Sequence, residues 1–155
     1  MFKIKNKYIE GLIRWLQGQL LSAENTRART WFLRILEKQM MEVENQRIEL
    51  AKKYAKRDKR GEPMVIIAAG GKKVYDLTQE SINQLNSDFA QLLEQEFSFQ
   101  VNEKELFERV SVLVLETQLP FGLMGGEDDN ERRVKLAIAD NYTEWCRAFE
   151  EVVLK

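Results

Sequence analysis

The chain has 155 residues, with 24 Lys+Arg against 25 Asp+Glu, a formal charge of −1, one cysteine and no histidine. This length suits a single domain over 1–155, and the missing histidine excludes Ser/His and Cys/His catalytic pairs as well as the usual imidazole metal ligands. Cys146 has no partner for an internal disulfide, and no apolar run fits a signal peptide or a membrane span, so an intracellular, soluble protein is expected.

Phe2 and Ile4 alternate with Lys3, Lys5 and Lys7, the period-two pattern of a short strand. Tyr8, Ile9, Leu12, Ile13, Leu16 and Leu20 then recur at three- and four-residue spacing and predict a helix over residues 8–21. Gly11 and Gly18 weaken that helix but permit close approach of another element. Residues 22–25 interrupt the pattern, and Asn25 or Thr26 is the expected N-cap of the next helix.

That helix, over about residues 26–57, gives the strongest periodic signal. Ala28, Phe32, Ile35, Leu36, Met40, Val43, Leu50 and Tyr54 form one stripe with no Gly or Pro among them. At its rise per residue it reaches about 50 Å, so it either protrudes or breaks near residues 44–46, where the stripe thins. The polar sequence 58–63, DKRGEP, ends it. Two apolar runs, 64–69 and 72–77, flank Gly70-Gly71 and read as a β-hairpin closed by a two-residue primed turn.

Thr78 is the expected cap of a helix over 79–97, with Ile82, Leu85, Phe89, Leu92, Leu93 and Phe97 as its stripe. Phe97, Phe99 and Val101 also alternate and could add a third strand beside the hairpin. Asn102 and Glu105 have the spacing of a capping box for a helix over about 103–118. Residues 119–130, rich in glycine yet carrying Phe121, Leu123 and Met124, read as a loop that docks on the core or anchors a partner. A terminal helix over 131–154 follows, with Leu136, Tyr142, Trp145, Phe149, Val152 and Val153 on one side. The expected fold is therefore α+β and mainly α: four or five helices including one long helix, with a small antiparallel β-hairpin.

The charge is distributed unevenly along the chain. Residues 1–60 hold 15 Lys+Arg against 7 Asp+Glu, and residues 61–155 hold 9 against 18, a basic helical half and an acidic half that carries the hairpin. Such halves either pack together within one chain or bring two copies together.

No catalytic residues, metal site or cofactor are expected. Glu127, Asp128, Asp129 and Glu131 crowd at a helix start, where acidic residues complement the macrodipole; the ligand spacing of a calcium loop is missing. Gly70-Gly71-Lys72-Lys73 lacks the earlier glycine and the following Ser/Thr of a phosphate loop. Cys146, within one turn of Trp145 and Phe149, reads as a small packed residue. Two groups on the long helix are candidate partner-binding residues. Trp31 lies beside the main stripe among Arg27, Arg29 and Arg34, and Trp and Arg are favoured interface anchors. Lys52, Lys53, Lys56, Arg57, Lys59 and Arg60 crowd the helix C-terminus, where cations are also favourable on dipole grounds alone.

The long helix begins on Arg27, Arg29 and Phe32 and ends on Tyr54, Ala55, Asp58, Gly61 and Pro63, followed by a hairpin and a further helix. Over residues 8–97 this resembles a family of small phage and prophage proteins of unknown function, often encoded near tail and lysis genes. The resemblance implies a viral origin and carries over no catalytic residues. A non-enzymatic protein is expected, one that acts through contacts with itself or with a phage or host protein as a virion, tail or assembly component or as a host-factor-binding protein. Its expected place is the bacterial host cytoplasm or the virion, with no membrane association and with homo-oligomers allowed. The alternative is an accessory protein that binds nucleic acid through the basic end of the long helix.

Overall fold

The computed structural model describes residues 1–116 and 129–153, the side chains of 129–140 excepted. In chain order the elements are β1 (Phe2–Lys5), α1 (Asn6–Gln17), α2 (Ala23–Tyr54), β2 (Val65–Ile67), β3 (Lys73–Tyr75), α3 (Gln79–Glu94), β4 (Glu96–Phe99), α4 (Lys104–Glu116) and α5 (Asp129–Val153). The fold is α+β and mainly α, with two antiparallel two-stranded sheets, β1–β4 and β2–β3. Two compact units share the chain: Met1–Met40 together with Glu96–Lys155, and Met41–Gln95. The division falls inside α2, which runs unbroken through residues 44–46, where the thinning stripe suggested an interruption.

The first unit is built on aromatic side chains. Phe2 and Ile4 of β1, Ile9, Leu12 and Leu16 of α1, Phe32 and Leu36 of α2, Phe107 and Val110 of α4, and Trp145 and Phe149 of α5 are buried in one cluster. Phe2 lies 5.4 Å from Phe32 and 5.1 Å from Phe149 between ring centroids, and Phe107 stacks on Phe149 at 5.3 Å. Offset and edge-on rings at such distances add to the area they bury. At Gly11 α1 and α5 approach closely: a Cβ there would stand 3.1 Å from Cζ2 of Trp145, whose Nε1–H donates to the Tyr8 carbonyl at 3.1 Å.

Three boundaries differ from the sequence expectation in this unit. α1 stops at Gln17, and Leu20, assigned to its stripe, is fully exposed. Gly18 closes the helix, and side chains take its last carbonyls: Gln19 Nε2 donates to Trp15 O, and Arg29 Nη1 donates to Leu16 O and, just past the helix, to Gln19 O. α2 begins three residues early because Ser22 is its cap. Ser22 Oγ accepts from Asn25 N–H at 3.4 Å, and Thr26 Oγ1 donates back to Ser22 O at 2.9 Å, so both expected caps sit inside the first turn. Phe97 and Phe99 belong to β4, which pairs with β1 rather than the hairpin, in the register Phe2↔Phe99 and Ile4↔Phe97. Their alternation is satisfied by the N-terminal strand, which places all four apolar residues on one face.

The second unit has a thinner core: Val43, Ala55, Leu85 and Leu92 are its buried hydrophobic residues. Tyr54 at the end of α2 donates to Asp88 Oδ2 of α3 at 2.6 Å, and Gln84 holds the other carboxylate oxygen at 2.9 Å. Thr78 caps α3 as expected, its hydroxyl accepting from Ser81 N–H at 3.1 Å. α2 ends at Tyr54, short of residue 57, because the next residues are extended. Lys56 N–H donates to Asp76 O, Met64 N–H donates to Lys56 O, and Arg57 bridges Pro63. The hairpin is present, but its connection has three residues. Ile67 pairs with Lys73 and Ala68 N–H donates to Lys72 O, which leaves 69–71 as the loop, with Gly70 and Gly71 at φ +81° and +77°.

Candidate functional site

Arg27, Trp31 and Arg34 stand at i, i+4 and i+7 of α2 and so share one face of the helix. With Thr30, Glu103 and Leu106 they line an open groove of about 450 Å³ on the first unit. Trp31 is half-buried, its ring 6.1 Å from Phe32 and 6.5 Å from Phe99, so the indole in the groove lining is packed against the aromatic cluster. Arg27 and Arg34 are exposed and form no ion pair among the described residues. Arg29 is different. It lies on another face, its Nη1 bonded at 2.7 Å to Gln19 O and at 3.3 Å to Leu16 O, so its charge serves the C-terminus of α1 and it is not part of the groove.

The six cations at the end of α2 divide in a similar way. Lys56 Nζ binds Asp76 Oδ2 at 3.0 Å, and Lys52 Nζ lies 3.9 Å from Glu49. Lys53 Nζ sits 4.8 Å above the Tyr54 ring. Arg57 donates to the carbonyls of Lys52 and Gly61, tying the helix end to the 58–62 turn. In that turn Asp58 Oδ1 accepts the backbone N–H groups of Arg60 and Glu62 at 2.7 and 3.0 Å. Lys59 and Arg60 keep exposed side chains with no ion pair among the described residues. The patch is therefore partly structural, with Lys59 and Arg60 as its unengaged cations.

A third feature was not singled out in the sequence. Every residue of β2 is exposed: Val65 is 51% accessible, Ile66 46% and Ile67 73%, and Met64 before it is 39% accessible. A continuous β-branched run reads as a buried strand, and nothing in its pattern distinguishes one with no cover. Its neighbours give the available signal, because Lys59, Arg60, Lys72 and Lys73 flank it in sequence, and natural edge strands are protected by such charges. Lys72, in the supposed phosphate-loop sequence, lies near Glu44. Arg47, bonded to the Glu44 carboxylate at 2.6 and 2.8 Å, holds that group below the usual carboxylate range, and Lys72 lowers it further.

Elsewhere the chemistry is quiet. Tyr142 donates to Val114 O, and burial first, then its hydrogen bond with Cys146, pushes the phenol up to about 12. Burial likewise raises the half-buried Cys146 thiol, the opposite of an activated nucleophile. Among the described residues no three Cys, Asp or Glu side chains converge to hold a metal ion. The 119–130 loop lies outside the described residues apart from the backbone at its end, as do the side chains of 127–131. No helix among the described residues is long and apolar enough to cross a membrane. No family model matches the chain, and no curated protein and no solved structure is similar to it.

Proposed function

We propose that the protein acts without catalysis, through protein–protein contacts, and that the β2–β3 hairpin of the second unit is the principal contact surface. The observation that carries this reading is the exposure of Met64 and of the whole of β2, an apolar strand that a folded domain ordinarily covers. The Arg27–Trp31–Arg34 groove is a second surface of the same kind, pairing a half-buried aromatic with two unengaged guanidinium groups. On the resemblance over residues 8–97, the setting is a phage or prophage, where such a protein serves as a virion, tail or assembly component or binds a host factor. Nucleic-acid binding is the competing reading. It draws on Lys59 and Arg60, and it is weakened because Lys52, Lys53, Lys56 and Arg57 are engaged within the unit.

A photoreactive residue placed at Ile67, compared with one at exposed Glu10 of α1, tests the reading in a bacterial lysate. Protein adducts are expected at position 67 and not at position 10. Equal labelling at both positions, or adducts with nucleic acid alone, defeats it.

A further inference from the structure

The backbone of the hairpin narrows the kind of contact. In an antiparallel ladder, hydrogen-bonded and non-hydrogen-bonded pairs alternate. Ala68 N–H donates to Lys72 O at one end of the hairpin, and Asp76 N–H donates to Met64 O at the other. Ile66 opposite Val74 is therefore the hydrogen-bonded pair between them. It follows that Val65 and Ile67 turn their N–H and C=O groups away from β3, to the outer edge of β2. Among the described residues no hydrogen bond reaches these four groups. The outer edge of β2 thus offers two donors and two acceptors at the spacing a further strand requires, next to exposed β-branched side chains.

Charge identifies what kind of strand would fit. Of the eight Lys+Arg in residues 52–76, Lys52, Lys53, Lys56 and Arg57 are engaged within the unit, and the four that flank β2 in sequence, Lys59, Arg60, Lys72 and Lys73, stand against Asp58, Glu62 and Asp76. Two of those carboxylates are already occupied, Asp58 by backbone N–H groups of its own turn and Asp76 by Lys56. A second copy of the hairpin would bring an equal set of cations against this one. An acidic segment would meet them with opposite sign.

We infer that β2 binds an extended, acidic segment of a partner protein by strand addition, pairing it with the backbone of Val65 and Ile67. This rests on the hairpin being a protein contact surface, and goes further in naming the conformation and charge of what it takes. Strand addition draws its affinity from main-chain hydrogen bonds, and the alternate side chains of the added strand supply specificity. A two-stranded hairpin is marginal by itself, so a third strand also stabilises the element that receives it.

The test uses the full chain and three fluorescent peptides that alternate Val with Glu, Gln or Lys, together with a single-stranded DNA oligonucleotide. Binding is read by anisotropy. The Glu peptide is expected to bind more tightly than the Gln peptide, the Lys peptide not at all, and the affinity to fall with salt. Ile67→Pro removes an outward N–H and leaves the ladder to β3 intact, which the amide signals of Ala68 and Asp76 verify by NMR. It is expected to weaken the Glu peptide by about tenfold, one main-chain hydrogen bond and its neighbours, whereas Ile67→Thr, which keeps the N–H, weakens it less. If Ile67→Pro binds the Glu peptide as well as the parent does, strand addition is overturned while the protein-contact reading survives. Binding of the oligonucleotide in place of every peptide overturns both, as does binding of no probe at all. A dimer in sedimentation that Ile67→Pro abolishes gives the edge to a second copy and overturns the acidic occupant.

Discussion

The two units solve the problem of burial in opposite ways. In the first, Phe2, Phe32, Phe107 and Phe149 interlock from one strand and three helices, and the cluster is closed by Trp145 and the aliphatic stripe of α1. In the second, four residues are buried, two of them alanine or valine, and three consecutive β-branched residues face water. The difference bears on the proposed contact surface: the second unit leaves three consecutive apolar residues of one strand bare, whereas the exposed large apolar residues of the first, among the described residues Met1, Leu20, Val112 and Val153, stand apart in sequence.

The sharpest way to break this comparison is to remove one large side chain from each unit. Phe32→Ala is expected to cost about 4 kcal/mol of unfolding free energy, because Phe32 is fully buried against five other aromatic rings. Leu85→Ala in the second unit is expected to cost about 2 kcal/mol, since that side chain is 9% accessible and its surroundings can collapse. Denaturant titration of both variants measures the two losses, and equal losses would show the second core to be as well packed as the first. Thr78→Ala follows, with an expected loss of about 1 kcal/mol from the cap of α3, seen as faster amide exchange in the first turn of that helix.

The smallest effects are those of pH, and they separate the units by sign. Tyr142 belongs to the first unit, and its pKa is raised to about 12. Its contribution is complete below the unfolded tyrosine value near pH 10 and is lost as the pH rises toward 12. Asp88 belongs to the second unit, and the Tyr54 hydroxyl and then Gln84 hold its carboxyl below the ordinary value. Its contribution is present above the unfolded value near pH 4 and is lost on acidification. Thermal melts across pH are expected to show alkaline sensitivity that Tyr142→Phe reduces and acid sensitivity that Tyr54→Phe reduces, Gln84 still holding Asp88 in the second case.

Most helices were legible because their stripes are long and their ends are chemical. Thr78 before Gln79 is a cap that needs no tertiary context. What could not be read was set by partners distant in sequence. β1 and β4 meet only because residues more than ninety positions apart in the chain come together, in the register Phe2↔Phe99. The division between Met40 and Met41 leaves no local trace, since α2 continues through it with ordinary helix formers. The basic and acidic halves are likewise not bodies in space. Met41–Gln95 holds 9 Lys+Arg against 9 Asp+Glu, and the other unit holds 15 against 16. Opposed halves of the sequence are thus shared out until each unit is close to neutral, and the local excess at residues 52–76 survives as the meaningful asymmetry.

At the candidate sites the helical phase held more information than the clustering of residue types. Arg29 sits two positions from both Arg27 and Trp31, off the face that Arg27, Trp31 and Arg34 share, and it closes α1 instead of lining the groove. The exposed strand was hidden by its own hydrophobicity, which reads as an interior.

Trp15, Trp31 and Trp145 all belong to the first unit, and Met41–Gln95 contains no tryptophan. Indole emission therefore watches one unit alone, while backbone circular dichroism watches both through α2 and α3. The protein carries a built-in optical label on its scaffold and none on its hairpin. A silent tryptophan spectrum on adding a ligand to the hairpin is therefore the mark of an event confined to the second unit.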